Sequence, residues 1–195
     1  AVSVLLGLAP AARHGLVRPD RIIADCKTAI SGAGKKPSAT YHYPARYENM
    51  NAYKLAGHQH VCEVETELKR LSGRDHRIVF TAQVVPMCRG ILSCLYGDLV
   101  DGITPAQVLE AYRSFHQGHP FVRVFDRKTA IGTIHVRGSN FCNLTVDVDE
   151  RTRTLRVISH IDNLVKGQAG NALQNMNIIL GLPETMGLMK PGMNP

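Results

Sequence analysis

Nine consecutive residues, Gly57-His58-Gln59-His60-Val61-Cys62-Glu63-Val64-Glu65, bring together two imidazoles, a thiol and two carboxylates. They follow a short apolar run, Tyr53 to Ala56, and precede an amphipathic pattern of helical period. With His60 in the first turn of that helix, Glu63 lies three positions on, on the same face and within side-chain reach. A carboxylate beside an imidazole fixes its tautomer and steadies its cation, which is what a general acid/base requires. The same residues read two other ways. Alternating histidines with a glutamate are potential metal ligands, although no fourth ligand is evident, and a single histidine is more often satisfied by its surroundings than functional. Spacing alone does not choose between them.

The elements that must position these groups are legible along the chain. Residues 1 to about 14 form an apolar helix closed by Gly15, and Arg21 to Cys26 a short strand. Ser31-Gly32-Ala33-Gly34-Lys35-Lys36 is a small-residue loop whose free N–H groups and lysines could hold an anion, or simply a flexible turn. Thr40 to Asn51 reads as an ordered loop with little regular structure. Val61, Val64, Leu68 and Leu71 mark the helix after the His-rich stretch, with Gly73 as its stop. His76–Val85 and Ile91–Leu99 are strands broken by Pro86 to Gly90, and Thr104-Pro105 starts a helix that Gly118 and Pro120 end. Phe121 to Val124 is a short strand; Asn140–Val148 and Leu155–Ile161 form a hairpin through Asp149 to Thr152. Gly167 to Leu180 is a last helix, and the Gly-, Met- and Pro-rich tail is expected to be loose. Strands paired by hairpins with helices gathered to one side make an α+β domain on a mixed, largely antiparallel sheet. At 195 residues, one domain spanning 1–195 is the expectation.

Composition bounds the function. Hydrophobic residues make up 44%, ordinary for a globular chain. Twenty-three Lys plus Arg against 16 Asp plus Glu give a net charge of +7, but the basic residues are scattered and no nucleic-acid motif appears. Small anionic ligands such as phosphorylated substrates account for that charge without a nucleic-acid or membrane partner. Five dispersed cysteines, odd in number and outside C-x-x-C pairs, speak against a disulfide framework or structural zinc and fit a reducing, cytoplasmic setting. The apolar opening, Val2 to Ala12, lacks a basic flank and is too short to cross a bilayer. There is no initiator Met, which leads us to expect a piece of a longer protein. No G-x-G-x-x-G turn, P-loop, H-E-x-x-H or G-x-S-x-G is present, so part of any enzyme's machinery must lie outside these residues.

Three stretches taken together resemble one family: Gly57-His58-Gln59-His60 with Glu63-Val64-Glu65, Val136-Arg137-Gly138-Ser139-Asn140-Phe141-Cys142, and the run from Ile161-Asp162-Asn163 to Asn177. They are similar to the C-terminal region of the N-acetyl-γ-glutamyl-phosphate reductases, and Ser31 to Gly34 and Met87 to Leu92 support the match. The resemblance implies a fold like the C-terminal domain of glyceraldehyde-3-phosphate dehydrogenase, a homo-oligomer (dimer or tetramer), and NADPH as cofactor. It also implies reduction of an acyl phosphate to a semialdehyde in arginine biosynthesis, through thiolate attack, loss of phosphate and hydride transfer. The family's nucleophilic cysteine, in a Gly-Cys-Tyr-Pro-Thr-like motif, would fall just ahead of Ala1. The isolated chain is therefore expected to be inactive, and Cys62 to be a packed bystander. By position in the motif His60 is the first choice for the acid/base, oriented by Glu63, with His58 the runner-up. Ser31, Gly32, Gly34, Lys35 and Arg89 are the implied substrate-anion contacts. Gly167, Gly170 and Asn171 would open the last helix beside the nicotinamide, and that helix would pack toward a nucleotide-binding half. Gln59 stands where many relatives have Arg, and Val61-Cys62 replaces a Thr-Pro-like pair, which bears on substrate preference. Rival readings are a related dehydrogenase acting on another acyl phosphate and a non-catalytic oligomerisation module.

Overall fold

The computed structural model describes residues 1–193. Helix α1 (Val2–Arg13) leads into strand β1 (Val17–Ala29), a short 3-10 turn at Ile30–Ala33, a four-residue helix α2 (Tyr43–Arg46) and strand β2 (Asn51–Tyr53). Helix α3 (Gln59–Ser72), strands β3 (Ile78–Val85) and β4 (Ile91–Leu99), helix α4 (Pro105–His116) and strand β5 (Val122–Asp126) follow. Strands β6 (Cys142–Asp149) and β7 (Thr154–Ile161) lead to a π-helical turn, Val165–Ala169, and helix α5 (Gly170–Ile179).

The seven strands form one mixed sheet in the order β2-β3-β1-β4-β7-β6-β5. β6 and β7 are the expected hairpin. β3 and β4 are not a hairpin. β1 lies between them, parallel to β3 and antiparallel to β4, so the 86–90 connection crosses over it. The reason is the length of β1: it runs 13 residues rather than the six from Arg21 to Cys26, and both its edges are paired. Alternation along β4 then decides the layers. Ser93, Leu95, Gly97 and Leu99 are buried beneath the helices, while Leu92, Cys94, Tyr96 and Asp98 are half-covered on the other face.

Helix α1 is the centre of the helical layer, packing on β4 and β7 and touching α3 and α4. Val4, Leu8, Ala11 and Ala12 recur at helical spacing and are buried. A Cβ on Gly7 would lie 2.4 Å from Leu95 Cδ1, so the glycine sets how closely α1 approaches the sheet. Pro10 has no N–H to offer the Leu6 carbonyl four residues back. His116 Nε2 of α4 donates to that carbonyl at 3.2 Å, and the buried Tyr112 hydroxyl donates to Gly7 O at 2.7 Å. Helix α4 begins at a capping box: Thr104 Oγ1 accepts from Gln107 N–H while Gln107 Oε1 accepts from Thr104 N–H. Gly73 ends α3 in the left-handed region (φ +73°).

The tail departs from expectation. Leu188 is buried with Phe121, Val136 and Phe141 in a small second core, and Arg137 Nε donates to the Met193 carbonyl. Asn194 and Pro195 lie outside the described residues.

Candidate functional site

Several loops meet where β1, β2, β3 and β7 end, and between them is a cleft of about 490 Å³. Thr28, Ala29 and Gly32 form one wall, His58, Gln59 and His60 another, and Asn163, Gly167 and Gln168 a third; Tyr41, Tyr53 and Lys54 stand at its side. Both histidines of the opening motif therefore reach one space.

Their local roles differ. His58 is the N-cap of α3: its backbone is extended, and its Nδ1 accepts from the His60 N–H at 3.2 Å. Its ring lies against Tyr53 and Phe80. His60, in the first turn, points to the start of α1, with Nδ1 3.0 Å from the nitrogen of Ala1. Burial pushes the His60 imidazole down to about 4, helped by the positive charges of His58 and Lys54. His58 is also lowered, first by burial and then by Lys54. At neutral pH His60 is an uncharged imidazole, able to accept a proton.

Glu63 does not orient His60. It is exposed and, among the described residues, makes no hydrogen bond to either imidazole. Because α3 begins at Gln59, it is Val64, four residues on, that is fully buried, while Glu63 turns to solvent. Cys62 is exposed rather than packed, its Sγ directed at the Gln59 carbonyl. Among the described residues no three His, Cys, Asp or Glu side chains are placed to hold a metal ion.

The expected anion contacts separate. Gly32 lines the cleft, and Ser31 Oγ accepts from Asn163 Nδ2 at 2.9 Å. Gly34 and Lys35 are exposed and outside the lining. Arg89 is elsewhere, donating to Oδ1 of Asp162 at 2.9 Å. That carboxylate is fully buried and also accepts from the N–H groups of Gly138, Leu164 and Val165. Burial pushes Asp162 up, but the Arg89 guanidinium and those N–H donors outweigh it and hold the carboxyl below its usual range. Beside it, Asn163 Oδ1 accepts from Gly90 N–H. Asp162 and Asn163 thus tie the 87–90 connection, the 136–140 loop and the π-helical turn into the back of the cleft.

Gly167 faces the cleft, and a Cβ there would sit 3.3 Å from the Asp162 carbonyl. Gly170 is a packing glycine: its Cβ would meet Asn140 Oδ1 at 2.5 Å and Val165 Cγ1 at 2.6 Å. Asn171 is half-buried in the first turn of α5 and outside the cleft lining. Lys166 lines a separate small cavity with His116 and Phe121; it is buried, with Nζ donating to Gln174 Oε1 at 2.7 Å. Sequence reasoning did not single out Lys54, Asn163 or Gln168. Asn163 lay within the quoted family run, but nothing local marks Lys54, which the β2–α3 turn brings in.

A family model described as semialdehyde dehydrogenase, dimerisation domain, matches residues 1–163. The chain belongs to the semialdehyde dehydrogenase dimerisation-domain family. Relatives include the N-acetyl-γ-glutamyl-phosphate reductase of Geobacter metallireducens, 47% identical over 187 residues, which are 95% of this chain and 54% of that protein. That of Geotalea daltonii is 44% identical over 194 residues, 99% of this chain and 56% of that protein. The chain thus spans about half the length of the curated relatives it matches. The fold is similar to part of aspartate semialdehyde dehydrogenase II from Vibrio cholerae (TM-score 0.70, 15% identity, 92% of this chain and 59% of that one). The Francisella tularensis aspartate semialdehyde dehydrogenase is equally similar (TM-score 0.70, 16% identity, 92% and 62%).

Proposed function

We propose that this chain is the proton-handling and oligomerising part of an NADPH-dependent reductase of arginine biosynthesis. The complete protein would convert N-acetyl-γ-glutamyl phosphate to N-acetylglutamate semialdehyde and phosphate. The observation that carries this reading is the placement of His60: an uncharged imidazole lining the cleft, 3.0 Å from the start of α1. In the resembling family the nucleophilic cysteine precedes that helix, so a thiol supplied from there would lie near the His60 imidazole. His60 takes the thiol proton, gives it to the hemithioacetal oxygen left by hydride transfer, and takes it back as the C–S bond breaks to release the aldehyde and the thiolate. His58 holds the first turn of α3, and so the direction of His60, through its cap bond.

When bound, the nicotinamide supplies the hydride. Gly167 and Gln168, which both line the cleft, would form the wall against its ring. Gly170 and Asn171 would support that wall from the opening turn of α5, Gly170 by its contacts with Asn140 and Val165. With no glycine-rich phosphate turn in the sequence, the chain alone is expected to bind NADPH weakly and to be inactive.

Two surfaces fit the remaining parts. The sheet face away from the helices exposes Val79 (63%) and Ile23 (37%), and we assign it to pairing with a second copy, as the family's description implies. Ile178, Ile179 and Leu180 are exposed along α5, which we assign to contact with a nucleotide-binding half. No helix among the described residues is long and apolar enough to cross a membrane, and a cytoplasmic enzyme is the reading we favour.

The test is turnover by the full-length protein with N-acetyl-γ-glutamyl phosphate and, separately, aspartyl phosphate, following NADPH oxidation. Turnover of the first alone is expected. Preference for the second would make it a different semialdehyde dehydrogenase. With neither, the reading as an oligomerisation module stands.

A further inference from the structure

Lys54 follows β2 directly and is the one non-glycine residue lining the cleft whose backbone lies in the left-handed region, at φ +51°. The turn it opens is closed by Gly57 N–H donating to its carbonyl at 3.2 Å. A glycine or asparagine would hold that conformation with less strain. A long cationic side chain there points to a use for the side chain rather than for the backbone.

The charge it brings has no local partner. Lys54 is the only Lys or Arg lining the cleft, no Asp or Glu lines it, and among the described residues no carboxylate lies within 4.0 Å of its Nζ. One Nζ donor is directed to Gln59 Oε1 at 3.1 Å, which leaves the others free. Gln59 and His60 both line the cleft, so the ammonium is held on the same cleft as the proton-handling imidazole. The electrostatic reach is consistent with this, because the charge of Lys54 depresses both His58 and His60. Arg89 and Lys35, the cations singled out by sequence, are respectively paired with Asp162 and outside the cleft.

We propose that Lys54 is a substrate-binding residue whose ammonium holds an oxyanion of the ligand, phosphoryl or carboxylate, beside His60. The inference rests on the reductase reading for the identity of the substrate, but not for the existence of the anion site. A charge-assisted contact of this kind contributes binding without taking part in bond making.

The experiment uses the full-length protein with Lys54→Met, Lys54→Arg and Lys54→Gly. Binding of inorganic phosphate and of N-acetylglutamate is titrated directly, and KM and kcat are measured with the acyl phosphate. Lys54→Met is expected to weaken at least one probe and raise KM about tenfold, with kcat within about threefold of the parent. Lys54→Arg should restore most of the loss. Lys54→Gly should bind as poorly as Lys54→Met while melting no lower than the parent, because the strained backbone is relieved. Loss of phosphate binding alone assigns the phosphoryl group, and loss of N-acetylglutamate binding alone assigns the carboxylate. Unchanged affinity for both probes, absence of binding in the parent protein, or an equal fall in kcat for Met and Arg overturns the proposal. A parent protein that turns over nothing yet binds a probe through Lys54 overturns the reductase reading and leaves the anion site standing.

Discussion

Two histidines two residues apart enter the same cleft with different work, and their substitutions should separate. His60→Ala in the full-length protein is expected to lower kcat by about 10²–10⁴-fold, the usual contribution of a positioned acid/base, with an unchanged circular dichroism spectrum. Near-parent rates would move the role to His58. His58 Nδ1 instead caps α3. His58→Ala should therefore cost about 1 kcal/mol of stability in urea unfolding, whereas His58→Asn, itself a good cap, should keep most of it. An equal loss in both variants would mean that the ring's contacts with Tyr53 and Phe80, not the cap, hold it in place. At this scale the sequence brought forward the two histidines that share the cleft but not their wiring. The spacing of His60 and Glu63 allowed a pair, yet the helix start at Gln59 turns Glu63 outward, a rotation that depends on where the cap falls. Arg89 looked like an anion contact because its partner, Asp162, lies 73 residues away.

Elements fix what single residues cannot. The π-helical turn and α5 meet at Gly170, where an added methyl would fall 2.5 Å from Asn140 Oδ1 and 2.9 Å from the Val165 carbonyl. Neither neighbour is a free chain end. Asn140 Nδ2 is held by Gln174 Oε1, the acceptor that also receives Lys166 Nζ. Gly170→Ala should therefore destabilise by about 1–3 kcal/mol, the range for overpacking, despite the better helix propensity of alanine. Thermal denaturation checks it; a stabilised variant would show that this turn yields readily. The longer strands and helices were legible because each has its own period: Ile91–Leu99 alternates, and the Thr104-Pro105 start marks α4, whereas the short α2 and β2 fall in or beside a stretch that reads as a loop. The separation of β3 from β4 was not legible. Two strands separated by five residues read as a hairpin, and only the long reach of β1, whose partners are more than fifty residues on, places it between them. The tail was misjudged for the same reason, since Leu188 finds Phe121, Val136 and Phe141 across the chain.

For the whole molecule, the shared feature is histidine held neutral inside. His58, His60, His76, His116 and His160 are all depressed, with burial the first cause in each. For His116 burial brings the ring down to about 4, partly opposed by its hydrogen bond to the Leu6 carbonyl, with His119 adding a further push downward. The sign follows from linkage. Below about pH 6.5 the unfolded chain takes up protons that the folded chain refuses, so folded stability falls as pH drops and levels off below about 4. One fully refused proton changes stability by about 1.4 kcal/mol per pH unit in that window; the partly exposed His58 and His60 contribute less, because solvent screens them. Urea midpoints measured from pH 7.5 to 4 should decline from about 6.5 downward. His116→Gln should flatten the decline while lowering the midpoint at pH 7.5, because the Leu6 carbonyl that Pro10 leaves open loses its imidazole donor. A decline of unchanged steepness would assign the acid sensitivity to the other histidines and leave His116 a hydrogen-bonded link between α1 and α4 with no part in the pH dependence.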